Sequence, residues 1–516
     1  MDKIIILDFG SQTTQLIGRR IRQLGVYSLI LPGDTPWEQM PKEGLRGIIL
    51  SGSPSSVYES EAPKPDAAIY RAGIPLLGIC YGSQRLIKDA GGTVAPHSQK
   101  EYGRAKVFFE KSDPLLMGID SGFVSWMSHG DSIQELAPSY KMIAQTENGI
   151  PAIVRHISLP HWGLQFHPEV THCEEGMQIL ANFIFNICQA KADWSMETYF
   201  SQIQAQIKKQ VGSQKVLLLI SGGVDSSVVA ALLLKSLDPE QVHLMYIDTG
   251  LMRKNESSEV ENLLQQLGAR HIHHINASQV FLKALRGVKD PEKKRRLIGD
   301  LFMRVQAKEV KRLQIPGAFL AQGTLYTDLI ESGKGVGQKA CVIKSHHNVR
   351  SPLVEAKRQA GLIVEPLAEL YKDEVRQLGR HLGLPETIIQ RHPFPGPGLA
   401  VRVIGEVTPA KITLLQEADA IYLEELKKRN LYNQIWQAFC VLLPLRSVGV
   451  SGDLRRYGYV LALRAISSVD GMTADVFPLP MADLLEISSR LTNSLREIGR
   501  VVYDISSKPP ATIEWE

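Results

Sequence analysis

Short, unbroken runs of branched aliphatic residues constrain this chain more than any other feature. KIIILD at 3–8, the runs at 26–31, 46–51 and 74–79, KVLLLI at 215–220 and VHLMYI at 242–247 are too short for helices. They lack the alternation of a strand with one wet face. Continuous apolar strands of this length are buried on both faces, as in parallel sheets covered by helices. Helix-patterned stretches lie between them, as at 13–24, 228–237 and 255–267. The order strand, helix, strand therefore predicts doubly wound α/β architecture. It occurs twice, with further strands at 162–166, 270–275 and 318–322 and a helix closing the first unit at 177–188. A helix is also expected over 369–382. From 392 onward the pattern changes: HPFPGPG at 392–398 breaks helix and strand alike. It reads as an interdomain linker, as a rigid loop beside a site, or as both. Strand-like and helix-like runs are mixed beyond it, giving a smaller α+β domain. At 516 residues, roughly three domains are expected.

Composition narrows the function classes. A net charge of +4 is too small over this length to argue for nucleic acid. The basic run Lys293 to Arg296 is local, either a solvated helix face or an anion site. Cys80, Cys173, Cys188, Cys341 and Cys440 are odd in number and scattered without CxxC spacing, which disfavours a disulfide framework or a structural zinc site. No apolar run spans a bilayer, and no basic leader precedes the first strand. The expectation is a reduced, cytoplasmic protein with no membrane and no nucleic-acid partner.

Three stretches carry chemistry. In PLLGICYG at 75–82 a strand ends at a turn in which Gly78 and Gly82 flank Cys80. Such a turn presents a nucleophile at a helix start, where N–H groups favour thiolate. Alone, the cysteine reads better as a buried structural residue. His167-Pro168-Glu169 follows the strand at 162–166, and residues two apart in an extended segment face the same side. His167 can then take the thiol proton while Glu169 orients its ring. SGSP at 51–54 can aim backbone N–H groups at an oxyanion. His172 and Cys173 lack such a frame and read as surface or packing residues. SGGVDSS at 221–227 lies between a buried strand and a helix. Paired glycines, hydroxyls and helix N-terminal N–H groups suit a phosphate chain. The loop lysine of a Walker A motif is missing. His271, His273 and His274 read as structural residues of one strand. The glycine-rich 333–337 reads as a lid.

Residues 1 to about 190 resemble the class I glutamine amidotransferases, which implies a flavodoxin-like fold and a Cys80-His167-Glu169 triad. Backbone N–H groups of Ser53 and Tyr81 would be the oxyanion donors, Ser53 standing where that family commonly has a second glycine. The 221–227 loop resembles that of the Rossmann-like ATP pyrophosphatases. This implies ATP bound by Ser221, Gly222, Gly223, Val224, Asp225, Ser226 and Ser227, with Mg²⁺ sharing the charge, and Asp225 a candidate ligand. Lys344 is read as a second pyrophosphate partner. The two activities together narrow the reaction to amination through an adenylate, without naming the acceptor.

The full chain, through 392–398, SVGVSGD at 447–453 and KPPATIEWE at 508–516, resembles the glutamine-hydrolysing GMP synthases. That implies xanthosine monophosphate (XMP) as acceptor, with Arg295 on its phosphate and Lys508 and Glu514 on the nucleotide. It also implies a homodimer formed by the C-terminal domain. The boundaries expected are 1–190, 191–391 and 392–516. Departures from the family pattern stand at 348–352, Ser451, Leu454 and Arg455. The rival readings are an amidotransferase with another acceptor, as in NAD or asparagine synthesis, and a nucleotide-binding regulator with decayed catalytic groups. Intact triad residues and an intact loop argue against the latter.

Overall fold

The computed structural model describes residues 1–110, 112–315, 317–331, 352–451, 454–468 and 473–516. Two compact units divide the chain, one built mainly on Met1–Tyr199 and the other on Phe200–Leu325 with the C-terminal chain.

The first unit is organised by a nine-stranded sheet of order β2-β1-β3-β4-β9-β8-β7-β5-β6. β1 (Lys3–Asp8), β2 (Tyr27–Pro32), β3 (Leu45–Leu50), β4 (Leu76–Ile79) and β9 (His161–Leu164) form its parallel half. The apolar runs predicted these five strands. β1, β3 and β4 bury Ile4, Ile5, Ile6, Ile48, Ile49, Leu76 and Leu77 completely, as strands covered on both faces must. β5 (Thr93–Phe108), β6 (Phe123–Glu135), β7 (Tyr140–Thr146) and β8 (Pro151–His156) extend it antiparallel, and the sequence patterns did not reveal them. Helix Tyr81–Asp89 starts directly after β4. The closing helix expected at 177–188 is Gly176–Ala181 continued by a π-helical turn, Asn182–Ile187.

The second unit holds a five-stranded, all-parallel sheet of order β12-β11-β10-β13-β14. Its strands are β10 (Val216–Ile220), β11 (Val242–Asp248), β12 (His271–Asn276), β13 (Phe319–Ala321) and β14 (Ile363–Val364). Helix Val224–Ser236 leaves β10 through the 221–223 turn, and nearly all of its aliphatic positions are buried. The expected helix at 369–382 is Lys372–His381. Further on in the same unit, helix Pro409–Lys428 packs on β15 (Gln437–Ser451). β15 forms a long antiparallel pair with β16 (Leu454–Ser467), which also pairs with β17 (Asp475–Val476) and β18 (Ile498–Tyr503). One hydrophobic core runs from Met245 and Leu320 through Leu399 and Leu415 to Leu461 and Leu491, so this sheet and the parallel one share a single interior.

Candidate active sites

The first site is set by a backbone outlier. Cys80 caps helix Tyr81–Asp89 with φ +52 and ψ −105, a region that non-glycine residues rarely occupy. Holding a residue there costs about 1–3 kcal/mol and persists only when its surroundings enforce it. They do so here: Cys80 N–H donates to the Leu164 carbonyl at 2.7 Å, and Gly82 N–H to Ser51 at 3.1 Å. Neither flanking glycine could carry a side chain. A Cβ on Gly82 would lie 2.3 Å from the Leu50 carbonyl oxygen, and one on Gly78 would lie 2.5 Å from the Gly82 backbone. The turn is thus locked between β3, β4 and β9. Tyr81 is the first helical residue, so its N–H has no intrahelical partner.

His167 and Glu169 arrive from the end of β9. The His167 Nδ1 donor meets Glu169 Oε1 at 2.7 Å, and its ring lies close enough to the Cys80 sulfur for the two to share charge. Glu169 is fully buried, and its Oε2 has no partner among the described residues. Burial alone would lower the imidazole's proton affinity. The interactions with Cys80 and Glu169 outweigh it and raise the ring to about 10, so the imidazolium form is favoured at neutral pH. The 51–54 turn passes beside this ring, where a Cβ on Gly52 would sit 3.4 Å from His167 Cε1. Cys80, His167 and Glu169 are therefore brought together, with Tyr81 and the 51–54 turn alongside. Cys173 is buried, its thiol pushed up to about 12 by burial and by Glu169, and the His172 ring lies tilted against Trp126 with centroids 4.6 Å apart.

The second site lies in the other unit at the end of β10. Gly222 has φ +79, and the hydroxyls of Ser226 and Ser227 donate to the Gly223 carbonyl at 3.1 and 2.9 Å. These bonds fold the turn against the first helical residues. Arg391 Nη1 braces it from outside through the Gly222 carbonyl at 2.8 Å and Glu256 at 3.0 Å. Asp225 stands in the first helical turn, and both its oxygens accept from Lys372 Nζ at 2.7 Å. Lys372 was not singled out from the sequence. Nothing in a lysine at the start of an amphipathic helix, 147 residues away, marks it as a loop partner. Beside the turn is a cleft of about 220 Å³ lined by Asp248, Arg253, Glu256, Ser257 and Gln416 among others. The Arg253 Nη2 donates to the carbonyls of His392 and Pro393 at 3.2 Å. Its Nε and Nη1 are buried without partners among the described residues. Asp225, with Glu256 beside Gly222, fits Mg²⁺, which takes most of its oxygens from phosphates and water.

The basic run 293–296 lies in helix Pro291–Leu313 and is not uniformly solvated. Lys294 is fully buried and donates to the carbonyls of Ala400 and Val403 at 3.2 and 2.7 Å, and to Glu516. Arg295 is a third exposed and pairs with Glu292. Glu514 is held by the fully buried Arg402 through two bonds, 3.0 and 2.8 Å, and by Gln437 at 3.0 Å. Lys508 is fixed through its backbone, which exchanges hydrogen bonds with Ala474. Lys344, the 333–337 run and the departures at 348–351 lie outside the described residues.

Family models match three stretches: glutamine amidotransferase class-I at 5–187, NAD synthase at 196–304, and the GMP synthase C terminal domain at 424–515. Whole-chain relatives decide the matter. Proteins named GMP synthase [glutamine-hydrolyzing] from Aquifex aeolicus and Chlorobium chlorochromatii are each 48% identical to it. The alignments cover 99% of both chains and 100% of both chains respectively. This chain belongs to the glutamine-hydrolysing GMP synthase family. Another relative, from Prochlorococcus marinus strain MIT 9515, is 48% identical over 520 residues, covering 99% of this chain and 98% of that one. Like that family, the chain carries an amidotransferase and an ATP pyrophosphatase region in tandem.

Proposed function

We propose that the chain converts XMP to GMP with glutamine as nitrogen donor, splitting ATP to AMP and pyrophosphate. The observation that carries this is the pairing, on one chain with full-length GMP synthase relatives, of a strained, histidine-coupled cysteine with a glycine-rich loop at a helix N-terminus. In the amidotransferase region, the Cys80 sulfur attacks the glutamine side-chain carbonyl carbon. The N–H groups of Ser53 and Tyr81 receive the developing oxyanion. His167, charged and held by Glu169, gives its proton to the departing ammonia, leaving a glutamyl thioester. Deprotonated His167 then takes a proton from the water that releases glutamate.

In the second region, residues 221–227, with Lys344 and Lys372, hold the β and γ phosphates. Asp225 would hold Mg²⁺, which would offset their charge. The C2 oxygen of XMP attacks the α phosphorus, pyrophosphate leaves, and ammonia then displaces AMP from C2. Arg295 takes the XMP phosphate, and Lys508 and Glu514 bind the nucleotide. Glu514 suits this because Arg402 fixes its carboxylate. The working divisions are 1–190 for ammonia release, 191–391 for ATP, and 392–516 for XMP binding and dimerisation. Exposed Leu445, Val448, Val450 and Tyr457 on the β15–β16 hairpin support a homodimer. Four free cysteines among the described residues support a reducing, cytoplasmic setting. No described helix is long and apolar enough to cross a membrane.

The test is product analysis with XMP, ATP, Mg²⁺ and glutamine, in the wild type and in Cys80→Ala. The variant is expected to lose glutamine-driven but retain ammonium-driven GMP formation. ADP in place of AMP, or failure of ammonium to restore product, would remove this reading.

A further inference from the structure

Gln165 is almost fully buried at the end of β9, two residues before His167. Its N–H donates to the Ala152 carbonyl at 2.9 Å, and the His167 N–H to Trp126 at 3.1 Å, so the segment between them is pinned. Phe166 points the other way, into the core beside Phe123. Gln165 and His167 both reach Cys80 from this segment, while Glu169 meets the far nitrogen of the His167 ring. The Gln165 Nε2 lies 4.0 Å from Cys80 Sγ.

The orientation of this carboxamide follows from its neighbours. Gln84, on helix Tyr81–Asp89, places one end of its side chain 2.9 Å from the Asp131 carbonyl oxygen. A carbonyl oxygen only accepts, so that end must be the NH₂ group. Its second hydrogen points at Gln165 at 3.3 Å and needs an acceptor there. Gln165 therefore turns its oxygen to Gln84 and its NH₂ to the sulfur. Nothing in the oxyanion turn or the triad requires this arrangement.

We infer that Gln165 donates a hydrogen bond to the Cys80 sulfur, stabilising its thiolate form in addition to the His167 contact, and that Gln84 positions Gln165 through the Asp131 carbonyl. This rests on the glutaminase reading of Cys80. A donor aimed at a buried anion is a charge-assisted bond, stronger than a neutral one. It also fixes where the sulfur sits before glutamine enters.

The experiment follows alkylation of Cys80 by iodoacetamide against pH in the full-length protein, read by mass spectrometry of the Cys80 peptide. The wild type is compared with Gln165→Leu and Gln165→Glu. The second is the same size and replaces the donor by an acceptor, so it serves even if the leucine variant folds poorly. The expected result is an alkylation profile displaced to higher pH by about one unit or more, larger for Glu than for Leu. Glutamine-driven turnover should fall about 10- to 100-fold, as for loss of one bond to a charged group. Superimposable profiles would overturn the inference, because a packing role lowers rates without moving the midpoint. If Cys80→Ala abolishes glutamine use while both Gln165 variants titrate like the wild type, only the donor role falls. If Cys80→Ala keeps glutamine use, the glutaminase reading falls with it.

Discussion

His392, at the start of the Pro/Gly-rich segment, should make the second unit acid-sensitive by an amount the structure sets. Its ring is buried and stacked on Tyr432 with centroids 3.9 Å apart and planes within 3°. Nδ1 accepts the Ala438 N–H at 3.1 Å, and Nε2 meets the Tyr432 carbonyl at 2.9 Å. That pair of contacts specifies the neutral ring protonated on Nε2. A second proton on Nδ1 would confront the Ala438 N–H. Burial, together with the positive Arg253, Arg376 and Lys427, lowers the ring's titration to about 4, against about 6.5 in an unfolded chain. The folded pKa is depressed below the unfolded one, so this contribution is intact above pH 6.5. It is lost as pH falls toward 4, where the unfolded chain binds the proton first. Between pH 7.5 and pH 5 the expected loss is about 2 kcal/mol from this one ring. The assay is urea unfolding of wild type and His392→Asn at both pH values. At pH 7.5 the variant should be less stable by about 1–2 kcal/mol, for a lost bond and lost stacking. At pH 5 that gap should close or reverse. His161 and His243, each also lowered to about 4, titrate in both proteins and cancel. A gap that stays constant across this range would refute the assignment of a neutral, buried His392.

Asp225→Ala should abolish GMP formation from glutamine and from ammonium alike, measured as AMP release, because the residue acts on ATP. Lys372→Ala should lower both rates and raise the KM for ATP, since it pairs with that carboxylate. Gly82→Ala forces a Cβ toward the Leu50 carbonyl; glutaminase activity should fall about 100-fold for a displacement near 1 Å, with ammonium-driven turnover kept. Arg402→Met leaves Glu514 without its bidentate partner in a buried setting, and denaturant titration should show a loss of about 3–5 kcal/mol.

The sequence made the parallel strands legible because burial on both faces leaves no polar alternation to confuse them. β1, β3, β4, β10 and β11 fall within two residues of the apolar runs. β5 to β7 did not stand out because one face of each is wet: β7 alternates irregularly between buried Tyr140 and Ala144 and exposed Lys141 and Met142. β8 buries only the short run Ala152, Ile153 and Val154 on both faces. β15 was hidden by Pro444 and by the register break between Leu442 and Arg446. The triad was readable because His167 and Glu169 are two apart and Cys80 sits between glycines, although the chain bends at 165–166 and turns at 168–169 where an extended segment was expected. Gln165 satisfied the same spacing rule but carried no chemical signal until Gln84 fixed its orientation. Lys294, Arg402 and Arg464 run against expectation, since cations are seldom fully buried. All three hold the tail: Lys294 binds Glu516, Arg402 binds Glu514, and Arg464 binds the carbonyls of Thr512 and Ile513. The acidic residues at 514 and 516 were the only sequence hint of such partners.

The two sites use one structural device with opposite outcomes, and the identity of a single residue decides which. Each is a turn from the end of a central parallel strand into a helix, with a left-handed residue inside it. In the first turn that residue is Cys80, φ +52, so the strained position carries the side chain itself and lifts a sulfur clear of the backbone. In the second it is Gly222, φ +79, so the strained position carries nothing and leaves backbone groups open to close approach. A side chain on Gly222 would come within 3.1 Å of Val260 and 3.2 Å of Glu256. A helix N-terminus favours negative charge in both cases. With a thiol at the turn, that field acts on a nucleophile belonging to the protein; with glycine there, it acts on phosphates belonging to a ligand.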